Sequence, residues 1–150
     1  MKIGFANDHR GYKLKEYLKN ELLKENYEVI DYGTNNEESC DYPDFAFKLS
    51  NAVISKEVDF GVAICGSGIG ISIACNKVKG IRCAKVSNVE EAVHTREDND
   101  ANIIAFGEKI SEQEALEAVK TFINTPFTNL EKHQRRIDKI TKYEEGNYVL

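Results

Sequence analysis

The feature that most constrains this chain is a strict alternation of short apolar runs with longer runs of helical period. "KIGFA" (Lys2–Ala6) reads as a strand, and "YKLKEYLKNELLKEN" then sets Leu14, Tyr17, Leu18 and Leu22 on one helical face. "YEVIDYG" is a second strand ending at Gly33, and "PDFAFKLSNAVISK" a helix with Pro43 in its first turn. "VDFGVAIC" is apolar on both faces, as a central parallel strand must be. A helix from about Gly70 to Lys79, strand "IRCAKV", helix "VEEAVHTRED" and strand "ANIIAFG" follow. "SEQEALEAVKTFINT" opens on Ser111 and Glu114, a capping box, and "TNLEKHQRRIDKITKYEE" is charged with helical period. Strand and helix in turn imply βαβ units. The expected fold is a single doubly wound α/β domain over residues 1–150, about five parallel strands with helices on both faces.

Ligands of such folds bind beyond the carboxyl ends of the strands. The residues there are Asn7-Asp8-His9-Arg10, Gly33-Thr34, Cys65 to Gly70, Ser87-Asn88 and Gly107-Glu108-Lys109. Within "ICGSGIG", Gly66, Gly68 and Gly70 let the backbone approach a ligand and aim N–H groups at an oxyanion or phosphate. The spacing excludes three better-known motifs. A dinucleotide fingerprint needs G-x-G-x-x-G after the first strand, a P-loop needs Gly-Lys-Ser/Thr, and a nucleophile elbow needs glycines where Cys65 and Ile69 stand. A plain glycine turn with no ligand is the competing reading.

Cys65 argues against that plain turn. Cys75 and Cys83 fit as small hydrophobes, whereas Cys65 ends a strand directly before a helix N-terminus, where a thiolate is favoured. Beside an anion cradle, a thiolate suits a general base whose substrate forms an oxyanion, and equally a nucleophile. The formal charge of −5 argues against a general nucleic-acid binder. No apolar run is long enough to span a bilayer, so no membrane partner is expected. Cys40, Cys65, Cys75 and Cys83 form no CxxC pair and lack a nearby histidine at ligand spacing, so no metal or cofactor is expected. Without an export signal the thiols are read as reduced and the chain as cytoplasmic.

"NDHRG", "DYPDFA", "ICGSGIGISIACNKVKGIRCA", "NDANIIAFG" and "HQRR" resemble, in order and over nearly the whole chain, the type B ribose-5-phosphate isomerases. These are grouped with galactose-6-phosphate isomerase subunits. The resemblance implies a Rossmann-like fold and metal-free aldose–ketose interconversion of a sugar phosphate through an enediolate. It also implies a homodimer, in some members paired into tetramers, with sites between subunits. It assigns Cys65 as the base moving a proton between C1 and C2. The loop Gly66, Ser67, Gly68, Ile69 and Gly70 stabilises the enediolate oxygens, with Ser67 among the catalytic positions. Asp8, His9 and Tyr42 match substrate contacts, Asn99 a hydroxyl contact, and Lys109, Lys132 and Arg136 the basic residues around the phosphate.

Two departures stand out. Many such enzymes carry a histidine before the Asn-Asp pair, assigned to opening the sugar ring, and here that position is Asp98. Asp98 could open the ring itself, His94 could substitute from the same helical face, or the ring could open unaided or the sugar differ. Beside Glu90, Glu91 and Glu97, His94 reads more simply as a solvated residue. Lys109 and Lys132 replace common arginines, keeping charge but losing the bidentate fork. Lys132, Arg135 and Arg136 are expected to share one helical face. The leading reading is a ribose 5-phosphate/ribulose 5-phosphate isomerase. The alternatives are a galactose 6-phosphate or allose 6-phosphate isomerase, and a non-catalytic sugar-phosphate sensor.

Overall fold

The computed structural model describes residues Met1–Leu150. Five parallel strands, β1 (Lys2–Asn7), β2 (Glu28–Asp31), β3 (Phe60–Cys65), β4 (Cys83–Lys85) and β5 (Ile103–Gly107), form one sheet in the order β2-β1-β3-β5-β4. Helices α1 (Tyr12–Lys24), α2 (Tyr42–Ile54), α3 (Ile69–Asn76), α4 (Val89–Asn99), α5 (Glu112–Asn124) and α6 (Glu131–Glu144) connect or follow them. The doubly wound α/β reading holds. The order also contains a swap that periodicity does not reveal: β4 lies at the edge, and the chain turns back to insert β5 beside β3. No helix is long and apolar enough to cross a membrane.

Alternation along the strands loads the two faces unequally. Ile3, Phe5, Val62, Ile64, Ile104 and Phe106 point into one core cluster, packed by Leu14, Leu18 and Leu22 of α1, Ala92 of α4 and Ala115, Val119 and Phe122 of α5. The other face carries Ala6, Ala63, Cys65 and Ala105 under Leu49 and Val53 of α2 and Ile71 and Cys75 of α3. Small residues there bring α2 close. A Cβ on Gly4 would lie 2.7 Å from Leu49, and one on Gly61 would lie 3.0 Å from it. Right-handed crossovers account for the distribution, because strands added toward β2 and toward β4 send their helices to opposite faces.

Several boundaries are shorter than periodicity suggests. The third helix stops at Asn76, because Lys77 to Gly80 fold into a turn closed by Gly80 at φ +87. The fourth strand keeps only Cys83–Lys85: Arg82 is instead drawn to the Asn102 side chain and Val86 bonds past the strand end to Ala105. Between β1 and α1 a 3-10 turn, His9–Gly11, intervenes, capped by Asp8.

Two buried cations tie loops to this frame. Lys15, fully buried, donates to the Thr34 carbonyl at 2.5 Å and pairs with Asp31 at 2.9 Å. Burial alone would raise the Asp31 carboxyl, but hydrogen bonds from Lys15, the Gly33 N–H and Lys19 outweigh it and hold the group below its ordinary range. Arg96 donates to Ala101 O at 2.6 Å and Thr125 O at 3.1 Å and lies over the rings of Phe60 and Phe122, fixing the end of α4.

Candidate active site

Connections leave β1 toward β2 and leave β3 in the opposite direction, so the order reverses between these neighbours. Such a reversal opens a crevice at the carboxyl edge. A depression of about 460 Å³ lies there, lined by Asp8, Arg10, Tyr42, Cys65, Gly66, Ser67, Gly70 and Lys109. All of these except Arg10 are residues expected from sequence to act together. His9 stands beside them on the 3-10 turn, its Nδ1 accepting the Cys40 N–H at 3.2 Å.

The glycine turn has structural reasons of its own. Gly68 has φ +76, and a Cβ there would lie 2.6 Å from the carbonyl carbon of Phe106. A Cβ on Gly70 would lie 2.7 Å from the Tyr42 ring, so glycine lets that ring reach the crevice floor. The turn is stitched to β5 by the Glu108 N–H donating to Gly66 O at 3.1 Å. It wraps back onto the thiol. The Gly68 N–H points at Cys65 Sγ at 3.2 Å, and an N–H aimed at sulfur stabilises negative charge there. Ser67 Oγ accepts the Ile69 N–H at 3.1 Å, while the N–H groups of Gly70 and Ile71, in the first turn of α3, have no intrahelical acceptor. Cys65 is 4 % exposed, set at the bottom of the cleft, while Ser67 and Lys109 are exposed at its rim.

Asp8 has a local role as well: its Oδ1 accepts the Arg10 and Gly11 N–H groups at 3.0 and 3.2 Å. Arg10 pairs with Glu108 across the strand ends, beside Gly66. Its hydrogen bond holds the Glu108 carboxyl below the usual range. This bridge carries no motif signal, and sequence reasoning misses it.

Asp98, Asn99 and Arg136 lie elsewhere. They line a larger cavity of about 630 Å³ between α4, β4 and α6, together with Arg82, Thr95, His133, Ile137 and Glu144. No residue is common to the two cavities. Within this second cavity His133 Nε2 lies 3.3 Å from Asp98 Oδ1. α6 does not turn the face shared by Lys132, Arg135 and Arg136 squarely inward. Its inward stripe is His133, Arg136, Ile137, Ile140 and Glu144, with Ile137 buried. Lys132 is exposed and lines neither cavity, and Arg135 turns away to pair with Glu131 at 2.6 Å. Burial of Ile137 sets the rotation, since residues off its i−4, i−1 and i+3 positions must face out. His94 is 61 % exposed and pairs with Glu90 at 3.5 Å, as a solvated residue would.

Known proteins share this fold. The family model described as Ribose/Galactose Isomerase matches residues 3–140. Ribose-5-phosphate isomerase B of Escherichia coli is 40% identical over 145 residues, covering 96% of this chain and 97% of that one. The structure of ribose-5-phosphate isomerase B from Clostridium thermocellum superposes with a TM-score of 0.94 at 48% identity, covering 97% of this chain and 99% of that one. The Mycoplasma genitalium ribose-5-phosphate isomerase B, solved with bound ribulose-5-phosphate, gives 0.89 at 36% identity over 96% of each chain. Likeness of this degree over nearly the whole chain shows that it belongs to the ribose/galactose isomerase family, as a sugar-phosphate isomerase of the ribose-5-phosphate isomerase B type.

Proposed function

We propose that this isomerase interconverts ribose 5-phosphate and ribulose 5-phosphate, with Cys65 as the base, and that each site combines the Cys65 cleft of one copy with the Asp98–Arg136 cavity of a second. The observation that carries the reading is the thiol at the end of β3, enclosed by a glycine turn whose Gly68 N–H lies 3.2 Å from the sulfur. With the open-chain aldose in the cleft, the Cys65 thiolate takes the C2 proton. Negative charge moves to O1, and the N–H groups of the Gly66–Gly70 turn, with Ser67 Oγ, stabilise the enediolate. A proton passes from the C2 hydroxyl to O1 within the enediolate, and the thiol returns its own proton to C1 as C2 becomes the carbonyl, so the ketose and the thiolate are formed and atoms and charge balance without a co-reactant. Asp8, His9 and Tyr42 orient the sugar, Asn99 meets a hydroxyl, and Lys109, Arg136 and Lys132 hold the phosphate.

Two facts support assembly from two copies. Residues with complementary roles sit in separate cavities of one chain. Large apolar side chains also stay exposed around them: Phe47 and Ile54 on α2, Ile69 and Ile73 on α3, and Ile140 and Tyr143 on α6. A second copy would cover such a surface, with each subunit lending its cavity to the other's cleft.

A panel of pentose and hexose phosphates tests the substrate. Ribose 5-phosphate should be turned over fastest. Preference for galactose 6-phosphate or allose 6-phosphate would fit the Asp98 departure and replace the ribose assignment. Binding of all without turnover would make the chain a sensor. Mixing inactive Cys65→Ala subunits with Arg136→Glu subunits, whose reversed charge should repel the phosphate and abolish turnover, tests the assembly. Redistributed dimers should regain about a quarter of wild-type sites, because one site of each mixed dimer is intact. No recovery after subunit exchange would place each site within one chain.

A further inference from the structure

The proposed proton transfer presupposes a step the Cys65 cleft does not supply. An aldose phosphate is mainly cyclic, and its C2 proton becomes acidic only when C1 is a carbonyl. A proton must therefore leave the anomeric hydroxyl and another must reach the ring oxygen before the thiolate can act. This calls for a group that both takes and gives protons near neutral pH, the ordinary office of imidazole.

The chain has three histidines. His94 is solvated on the outer face of α4 with Glu90. His9 lines neither cavity, and its Nδ1 is occupied by the Cys40 N–H. His133 differs from both. It is 13 % exposed, lies on the inward stripe of α6 and lines the larger cavity with Asn99 and Arg136. Its Nε2 faces the Asp98 carboxylate at 3.3 Å, which leaves Nδ1 to exchange a proton. A carboxylate on one nitrogen fixes the tautomer and stabilises the imidazolium that forms when the other nitrogen is protonated. Arg82, Arg136 and Glu144 are the other charged groups lining the same space.

We propose that His133, positioned by Asp98, opens the sugar ring. This rests on the isomerase reading above and deepens it by naming the proton carrier. Nδ1 takes the proton of the anomeric hydroxyl as the O1 electrons form the C1 carbonyl. The bond from C1 to the ring oxygen breaks, its electron pair goes to that oxygen, and the imidazolium returns the proton there. No proton or electron is gained or lost overall. Asp98 does not carry the proton, so asparagine at 98 should weaken the step less than loss of the imidazole.

Ring opening can be isolated from isomerisation, because ring opening and reclosure interconvert the two anomers of ribose 5-phosphate. The experiment measures anomer exchange by NMR magnetisation transfer on ribose 5-phosphate with Cys65→Ala protein. That variant should accelerate exchange over buffer. Adding His133→Asn should reduce the enzyme-dependent rate about 10²-fold, with Asp98→Asn giving a smaller loss. Calorimetric binding of ribose 5-phosphate by each variant, with circular dichroism, separates lost chemistry from lost fold. His133→Gln, which keeps a polar side chain but cannot shuttle a proton, must be as slow as His133→Asn. Unchanged exchange in the folded His133 variants overturns the proposal, and so does absence of exchange above buffer in Cys65→Ala. If Cys65→Ala still isomerises, the base assignment falls instead. Anomer exchange is then compared at chemical equilibrium with and without His133→Asn, and a slowed or unchanged rate decides for or against His133 independently of the base.

Discussion

The Cys65 cleft and the α4–α6 cavity are built in opposite ways. The cleft hangs on the parallel register: Asn7 pairs with Ile64 and Cys65 with Gly107, so Asp8, the thiol and Lys109 are set by strands that the sheet cannot move independently. The cavity is closed by α6, whose ties to the body are the His133–Asp98 pair, buried Ile137 and a Gly80 N–H donating to Glu144 at 3.2 Å. One region is specified by backbone hydrogen bonds, the other by a few side chains on one helix face. The rigid one suits atoms that must meet a carbon acid within tenths of an ångström. The lighter one suits binding and release, and it is the part a second copy can brace.

Changes in the rigid region should therefore be the more severe, and the largest effect is expected at the thiol. Cys65→Ala should lower kcat about 10³-fold or more while ribose 5-phosphate still binds, because the base is lost and the anion cradle is not. Near-normal turnover would remove the thiol from the chemistry. Cys75→Ala, in the core under α2, should affect stability alone.

The next effect compares two glycines with the same φ of +76, Gly68 in the cleft and Gly146 beyond α6. Gly68→Ala meets both the left-handed backbone and the Phe106 carbonyl carbon at 2.6 Å, so β5 or the turn must shift. Backbone strain of about 1–3 kcal/mol plus that displacement should lower Tm by roughly 5–10 °C and depress kcat. Gly146 has nothing within 4 Å, so Gly146→Ala should cost about 1 kcal/mol and leave kcat unchanged. Equal losses at both, read by thermal melts and initial rates, would show that the turn is not held by β5.

The same contrast explains what can be read without coordinates. Strand ends carry their own signals, so Asp8, Cys65 to Gly70 and Lys109 follow from alternation and glycine placement, and they do converge. The strand order is not legible, because β4 is only three residues long and pairs with β5 alone, a placement that no local sequence signal marks. The rotation of α6 escapes for a related reason. "KHQRR" draws attention to charge, but the helix is oriented by its few apolar residues, and Ile137 with Ile140 places His133 and Arg136 on their side. That signal is present at i−4 and i−1 from Ile137. The pairing of His133 with Asp98, far apart in the chain, has none.

The smallest expected effect tests that rotation directly, by comparing neighbours on α6. Arg136 lines the cavity and is proposed to hold the phosphate, whereas Arg135 pairs with Glu131 outside it. Arg136→Ala should raise KM for ribose 5-phosphate about 10-fold with kcat little changed, since a charge-assisted hydrogen bond to a phosphate is worth about 1.5–3 kcal/mol, reduced at an exposed position. Arg135→Ala removes only an exposed i, i+4 pair worth about 0.3–0.5 kcal/mol and should leave KM, kcat and Tm within error. Lys132→Ala decides between the two accounts of this helix. If Lys132 reaches a phosphate only across the junction with a second copy, its loss should raise KM in the assembled enzyme and change nothing in the fold of one chain. If Lys132 and Arg135 behave alike, the phosphate is held by Arg136 and Lys109 alone. A KM effect at Arg135 equal to that at Arg136 would mean that α6 turns when copies meet, and that its inward stripe in one chain is not the stripe that binds.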